Sequence, residues 1–454
     1  MKFILTLWIT KVIAIIVNII DKKRGSNYAG SIAMKMMPNF VAKFRGINYD
    51  KVIFVTGTNG KSTTTNMLYH TLTSAGKKVA SNLEGANMLP GVATTLIKNS
   101  SLFGKLNKEF LVLEIDERSL PLVRKQLPGR HMGITNLQKD QVQRNSDPDF
   151  ILRKFRSCID DKMTLYLNNE EPRSHSLETL AGTSKYFSVA ANSRTYQNDG
   201  FYNVTIPCPM CGHPIAYDRY NLASIGTFHC TKCQYGSKAQ PDVLIDSVDY
   251  EGNSFTCSGN TWKVPYNNPF YIYNFAMCIA IGRNFGLSDE QISGAFESFK
   301  NPANHADSYE IDGKTIYYLR AKQENPEALQ SELDIIAADP RPKAVFVGLY
   351  PVADFHPHYS CSFYFFDCDF THIVNSNVER FVAFSPAVAY DIGNRMILAG
   401  ADPKKVKVIE SDDPETVLEE VDHITAKVIY VLTNPKHSPE FKELLSMAGD
   451  NDDE

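Results

Sequence analysis

The run VIFVTGTNGKSTTTNML, which starts at Val52, limits the fold more than any other part of the chain. KVIFVT (51–56) has the length and β-branched content of a buried parallel strand, and STTTNMLYHTL after it carries Met67, Leu68 and Leu72 at helical spacing. A strand, a tight glycine turn and a helix start, in that order, make a cradle for phosphate. Gly57 and Gly60 let backbone N–H groups turn inward without a Cβ in the way, Lys61 brings a point charge, and the Ser62 hydroxyl can ligate magnesium. Gly57, Thr58, Asn59, Gly60, Lys61, Ser62 and Thr63 are therefore the candidate ATP-binding residues, in a shortened P-loop with Val55 where the general pattern has glycine. A strand-to-helix turn that binds nothing is the plain alternative.

A second run agrees with the first. EFLVLEID (109–116) reads as another buried strand, and its alternation puts Glu114 and Asp116 on one face at the carboxyl end, where a doubly wound sheet holds its ligands. Glu114 there can hold magnesium opposite Ser62; the alternative is a pair of acids that cap or solvate a strand end. With 43% hydrophobic and 22% charged residues the chain has the makeup of a folded protein, and 454 residues are too many for one ordinary core. Its net charge of -4 gives no electrostatic reason to expect nucleic acid as a partner.

Four of the nine cysteines form a pattern. Cys208 and Cys211 stand in CPMCG, Cys230 and Cys233 in CTKCQ, with eighteen residues between the pairs, which is the spacing of a four-cysteine zinc ribbon. Four thiolates leave zinc no open position, so such an ion would be structural. Two disulfides, or a nucleic-acid-binding ribbon, are the rivals. Against the second, Arg219, Lys232 and Lys238 are offset by Asp199, Asp218 and Asp242.

The amino terminus MKFILTLWITKVIAIIVNIIDKKRG is mostly apolar, but Lys11 sits mid-run, and a lysine at a bilayer centre costs roughly 2.5–3.5 kcal/mol. Thr6, Thr10, Lys11 and Asn18 gather toward one side, and Lys22, Lys23 and Arg24 follow. The readings are a helix docked on the protein body, a helix on an anionic membrane surface through residues 1–24, or a span. No small-x-small cleavage site closes the run, so a secretory signal is not expected.

VTGTNGKST, SNLEGANMLPGVATT (81–95), VLEIDE (112–117), ITNLQKDQ (134–141), LNNEEP (167–172) and YNFAMCIA (273–280) fall in the order and spacing of the Mur ligases. With the inserted ribbon and the carboxyl-terminal region, the chain resembles the MurT-type subunits of lipid II isoglutaminyl synthase. The fold expected is α/β: an N-terminal helix and lead-in (1–45), a P-loop Mur-ligase domain (46–301) with the ribbon near 200–245, and a smaller Rossmann-like α/β domain (312–447). In that last domain TIYYLR, KAVFVGLY, THIV, KVKVI and KVIYVL read as strands, alternating with helices near 326–338, 386–399, 413–424 and 438–447.

The resemblance implies ATP-dependent formation of an amide in the cytoplasm, with ATP and Mg2+ as cofactors beside the structural Zn2+ that the cysteine spacing suggests; a peripheral place at the inner face of the membrane is the option that residues 1–24 leave open. Lys61 and Glu114 would serve the phosphoryl transfer, and Asn274 would sit near the nucleotide, unless it caps a helix or serves a turn instead. The carboxylate implied is the D-glutamate α-carboxyl of lipid II, and the ammonia source a GatD-type glutaminase partner whose triad is completed by an aspartate from this subunit. Asp354 matches the first aspartate of the family pattern, but the segment ADFHPHYSCSFYFFDCDF (353–370) departs from it, Val388 replaces an arginine, and Lys322 is retained. Two rivals follow: a Mur-type ligase that couples a different amine or carboxylate without a glutaminase, and a non-catalytic module that binds ATP. His305, His356, His358 and His372 are read as histidines without special duty, the pair beside Asp354 being worth mutation.

Overall fold

The strand expected at the opening run forms as β1 (Val52–Thr56), with every residue buried, as a strand covered on both faces must be. Alternation sends Val52 and Phe54 into one core layer and Ile53 and Val55 into the other. The computed structural model describes residues 1–20, 26–83, 86–140, 147–196, 206–222, 224–300, 306–320, 325–348, 365–433 and 438–450. The chain divides into two units, one of residues 1–138, 145–197 and 204–302, the other of residues 139–144, 198–203 and 303–454.

In the first unit the strands after β1 are β2 (Val79–Ser81), β3 (Phe110–Glu114), β4 (His131–Ile134), β5 (Thr164–Asn168), β6 (Thr183–Val189), β7 (Ile215–Tyr217), β8 (Phe228–Cys230), β9 (Val243–Asp249), β10 (Ser254–Cys257) and β11 (Asn260–Lys263). Nine of them form one sheet in the order β11-β10-β9-β6-β5-β4-β1-β3-β2. From β2 to β9 every pairing is parallel; β10 and β11 add an antiparallel edge. The chain runs outward from β1 to β2 and β3 on one side, then returns to place β4 on the other, so the strand order reverses at β1. A crevice at the carboxyl ends of such strands is where open α/β sheets take their ligands.

Helices α1 (Lys2–Ile20), α2 (Tyr28–Met36), α3 (Lys61–Ser74), α4 (Leu89–Asn99) and α5 (Leu120–Gln126) belong to this unit. Of the three readings of the amino terminus, α1 adopts docking: Thr6, Leu7, Thr10 and Ala14 are buried, and Phe3 packs 5.3 Å from the ring centroids of both Phe40 and Phe44. Lys11 is drawn to the body too, donating to the carbonyls of Ile97 (2.5 Å) and Ser100 (2.7 Å). Asn18, expected on the same side, is exposed.

The second unit holds β12 (Ala306–Ile311), β13 (Lys314–Arg320), β14 (Lys343–Gly348), β15 (Val378–Phe384), β16 (Val406–Ile409) and β17 (Val428–Thr433), in the order β12-β13-β17-β14-β15-β16. All pairs are parallel except β12 with β13. One expected strand is wrong. THIV is a single helical turn, Thr371–Val374, because the Asp369 carboxylate accepts from both the backbone N–H (2.8 Å) and the hydroxyl (2.6 Å) of Thr371 and starts a helix there. The strand follows it, as β15, in a run rich in apolar residues.

Candidate active site

Between β1 and α3 the backbone turns through two left-handed glycines, Gly57 (φ 122°) and Gly60 (φ 86°). A Cβ on Gly57 would lie 2.3 Å from Thr135 Oγ1, and one on Gly60 would lie 2.4 Å from Asn274 Oδ1. Both are thus glycine for conformation and for space. The segment after β4 holds the turn in shape. Thr58 N–H donates to the Asn136 carbonyl (2.9 Å), Asn59 N–H to Asn136 Oδ1 (2.9 Å) and Asn59 Nδ2 to Gln138 Oε1 (2.8 Å), while Gln138 N–H donates to Thr58 Oγ1 (2.9 Å). With the loop pinned from outside, the first N–H groups of α3 face its mouth, and Ser62 is exposed there.

Lys61 folds back over the loop. Its Nζ donates to the carbonyls of Gly57 and Thr58, the latter at 2.9 Å, and pairs with Glu117 Oε1 at 2.7 Å. Glu114 ends β3 opposite Val55 in register, which brings it to the same sheet edge as the loop; its carboxylate accepts from Asn87 Nδ2 (3.0 Å). Asn82 locks the strand end, donating to the Glu114 carbonyl (2.8 Å) and accepting from its N–H (2.9 Å). Asp116 does not continue the alternation. The strand stops at Glu114, and Asp116 Oδ1 instead accepts from Arg118 N–H (3.0 Å) and Ser119 N–H (3.2 Å), so it shapes the turn into α5.

Glu117 is the residue that sequence reasoning passes over, although it closes the run VLEIDE. Burial pushes its carboxyl above the ordinary value, and the Lys61 ammonium opposes that shift. Asn136 and Gln138 also stand in a family-like run without a role assigned. Nothing local marks them as clamps, because their partners lie across the sheet.

Asn274 lies within helix Pro269–Asn284, buried against Gly60; the capping role falls to Asn268, which accepts from Tyr271 N–H at 2.9 Å. Asp354, Lys322, His305, His356 and His358 lie outside the described residues, and His372 is exposed on its short helix. Gly60→Ala tests the loop. Even if Asn274 swings away, a Cβ in the left-handed region costs about 1–3 kcal/mol, so titration calorimetry with a non-hydrolysable ATP analogue is expected to read roughly ten- to hundredfold weaker binding.

The four patterned cysteines converge. All four Sγ atoms lie within 4.8 Å of one another, with Cys208 to Cys233 at 3.8 Å and Cys211 to Cys230 at 3.5 Å. Disulfides would hold sulfurs about 2.05 Å apart, whereas a tetrahedral ion with Zn–S near 2.3 Å sets them about 3.8 Å apart. The thiols therefore have the separation of a four-thiolate metal site. They cap a lobe around β7 and β8 with its own small core of Ile206, Ile215 and Phe228. Glu170 joins the lobe to the sheet: fully buried, it accepts from Tyr273 (2.5 Å), from Val189 N–H (3.1 Å) and from lobe residues Arg219 (3.4 Å) and Asn221 (3.3 Å).

Comparison with known proteins matches residues 55–200 to the Mur ligase middle domain and residues 323–435 to the MurT ligase C-terminal domain. The chain is 26% identical over 433 residues to "Lipid II isoglutaminyl synthase (glutamine-hydrolyzing) subunit MurT" of Streptococcus pneumoniae (strain ATCC BAA-255 / R6), covering 93% of both chains. It is 28% identical over 315 residues to the protein of the same name from Staphylococcus aureus (strain COL), covering 69% of this chain and 70% of that one. Among solved structures, a pseudomurein peptide ligase type C from Methanothermus fervidus superposes with a TM-score of 0.67 at 16% identity, over 90% of this chain and 81% of the other, a likeness of fold.

Proposed function

This chain belongs to the Mur ligase family and carries a MurT-type C-terminal domain, and from that premise we propose that it is the ATP-dependent synthetase subunit that amidates lipid II. The group activated is the α-carboxyl of D-glutamate in the stem peptide, and the product is D-isoglutamine. One observation carries the reading: Lys61 on the glycine turn and Glu114 at the end of the neighbouring strand share one sheet edge.

The residues fit a magnesium-bound triphosphate. The first turn of α3 offers N–H groups to phosphate oxygens, Ser62 offers an exposed hydroxyl and Glu114 a buried carboxylate already oriented by Asn87. Bound magnesium, held by Ser62 and Glu114, would neutralise charge on the phosphates. A substrate carboxylate oxygen attacks the γ-phosphorus and ADP departs, leaving an acyl phosphate; ammonia then attacks the acyl carbon and phosphate leaves. Lys61 exchanges its carbonyl and Glu117 contacts for phosphate oxygens and stabilises the charge that moves between the two reacting oxygens. Asn274 backs Gly60 and keeps the loop open to the nucleotide.

Ammonia comes from a GatD-type glutaminase subunit, to which Asp354 contributes in a heterodimer. Zinc held by Cys208, Cys211, Cys230 and Cys233 staples the inserted lobe. A cytoplasmic place of action goes with the family. The decisive experiment purifies the chain with and without a co-expressed glutaminase and follows lipid II amidation by mass. Glutamine-dependent amidation by the pair is expected; amidation only by the chain alone with some other amine would instead make it a Mur-type ligase of different specificity.

A further inference from the structure

The amino-terminal helix is apolar on both sides. Phe3, Leu7 and Ala14, with the hydroxyls of Thr6 and Thr10, face the body, and an outward stripe is aliphatic or aromatic: Leu5 (57% exposed), Trp8 (46%), Val12 (57%), Ile15 (63%), Ile16 (49%) and Ile19 (80%). These positions recur every three or four residues, so they form one continuous face along the helix. The face does not end with α1. Trp8 Nε1 donates to the Leu102 carbonyl (2.8 Å), which sets the exposed side chains of Leu102 and Phe103 beside it on a separate loop. An apolar surface assembled from two elements, each otherwise well packed, is not an accident of one frayed end.

We propose that this face lies in the plane of an anionic lipid membrane, with α1 buried to the depth of its outer side chains and its inner side still docked on the protein. Three observations favour lipid over another occupant. The stripe has no polar group to fix the register of a partner helix. The exposed cations around it are Lys2, Lys98, Lys105 and Arg45, and neither residues 1–20 nor residues 95–108 contain an acid, a charge pattern that complements an anionic surface. Trp8 keeps its indole N–H satisfied while its ring faces out, the arrangement an interfacial tryptophan needs. A span is excluded while the helix stays docked, since Thr6, Thr10 and Lys11 are all committed inward, Lys11 to two carbonyls. The inference goes beyond the amidation reading, needing neither ATP nor lipid II.

Trp8 makes the test direct, because the chain's other tryptophan, Trp262, is buried. The full chain is mixed with vesicles of phosphatidylcholine alone or with phosphatidylglycerol, free of lipid II and nucleotide. With the anionic vesicles, emission shifts to the blue, and lipids brominated near the headgroup quench it more than lipids brominated deep in the chains; the Trp8→Phe variant shows neither effect. Val12→Glu/Ile16→Glu, both changes on the exposed face, weakens vesicle binding about tenfold or more and leaves the melting temperature unchanged. Unchanged binding by that double variant overturns the proposal. So does stronger quenching by deep bromines, which would mean a span, and so does a concentration-dependent dimer that the double variant abolishes in the absence of vesicle binding, which would mean a second copy covers the face. None of these outcomes bears on amidation, which is measured separately by mass.

Discussion

Lys61→Met lowers ATP turnover by about 10²–10³-fold, the usual cost of removing one preorganised charge donor from a site of developing negative charge, and leaves the chain folded. Methionine keeps an unbranched stem and removes only the ammonium that reaches Thr58 and Glu117. The nucleotide still meets Ser62, the α3 N–H groups and the Gly57–Gly60 turn, which Asn136 and Gln138 hold independently of Lys61. Binding therefore falls less than turnover does. Steady-state ATPase and amidation rates beside calorimetric binding separate the two; equal losses in both would show that Lys61 serves only to anchor the nucleotide.

The same variant carries a built-in control on Glu117. In the parent, the Lys61 ammonium opposes the upward push of burial on that carboxyl. Without it that opposition is lost, and the folded chain holds the Glu117 proton to higher pH. An acid whose folded value lies above its unfolded value contributes stability that is complete below the unfolded value and is lost as pH rises through the folded one. Melting temperature in Lys61→Met is thus expected to decline with rising pH more steeply than in the parent. A profile no steeper than the parent's would mean that the Lys61–Glu117 pair has no energetic weight.

What the sequence disclosed about this site was what contiguous residues determine. VIFVT followed by two glycines dictates a buried strand and a left-handed turn because those residues have few other stable uses together, and Glu114 followed because the end of a β-rich run is also a local property. The cysteines were legible for the same reason: ligand spacing is written in the chain. Asp116 was misassigned because the strand ends where Asn82 locks Glu114, and Asn82 belongs to a distant segment. Glu117 went unassigned because its role depends on a lysine 56 positions away reaching back over its loop. THIV has strand-forming residues, yet one carboxylate at Asp369 supplies the helix start that local propensity argues against. Each failure lies where a tertiary partner outweighs a local preference.

Stripping the zinc proposed for the cysteine lobe is expected to weaken nucleotide binding at a site that contains none of the four thiols. The lobe reaches that site through Ser224, whose hydroxyl accepts from Gln138 Nε2 (3.2 Å), and Gln138 in turn fixes Thr58 and Asn59 in the glycine turn. A second route runs through Asn169, bonded to Lys238 in both directions (2.8 and 2.9 Å), and Glu171, which accepts from Leu137 N–H (3.2 Å) just before Gln138. The lobe's own core is only a handful of side chains, too small to hold its fold unaided. A structural zinc supplies on the order of 10 kcal/mol to such a fold, so its loss should unfold the lobe and free Gln138. Elemental analysis of the purified chain should find one zinc per molecule. Chelation, or Cys211→Ser, should then render residues 206–236 protease-sensitive, and ATP affinity should fall while the Lys61→Met turnover defect remains a separate effect. If ATP affinity survives with the lobe cleaved, Gln138 holds the glycine turn without Ser224, and the two halves of this unit are energetically independent.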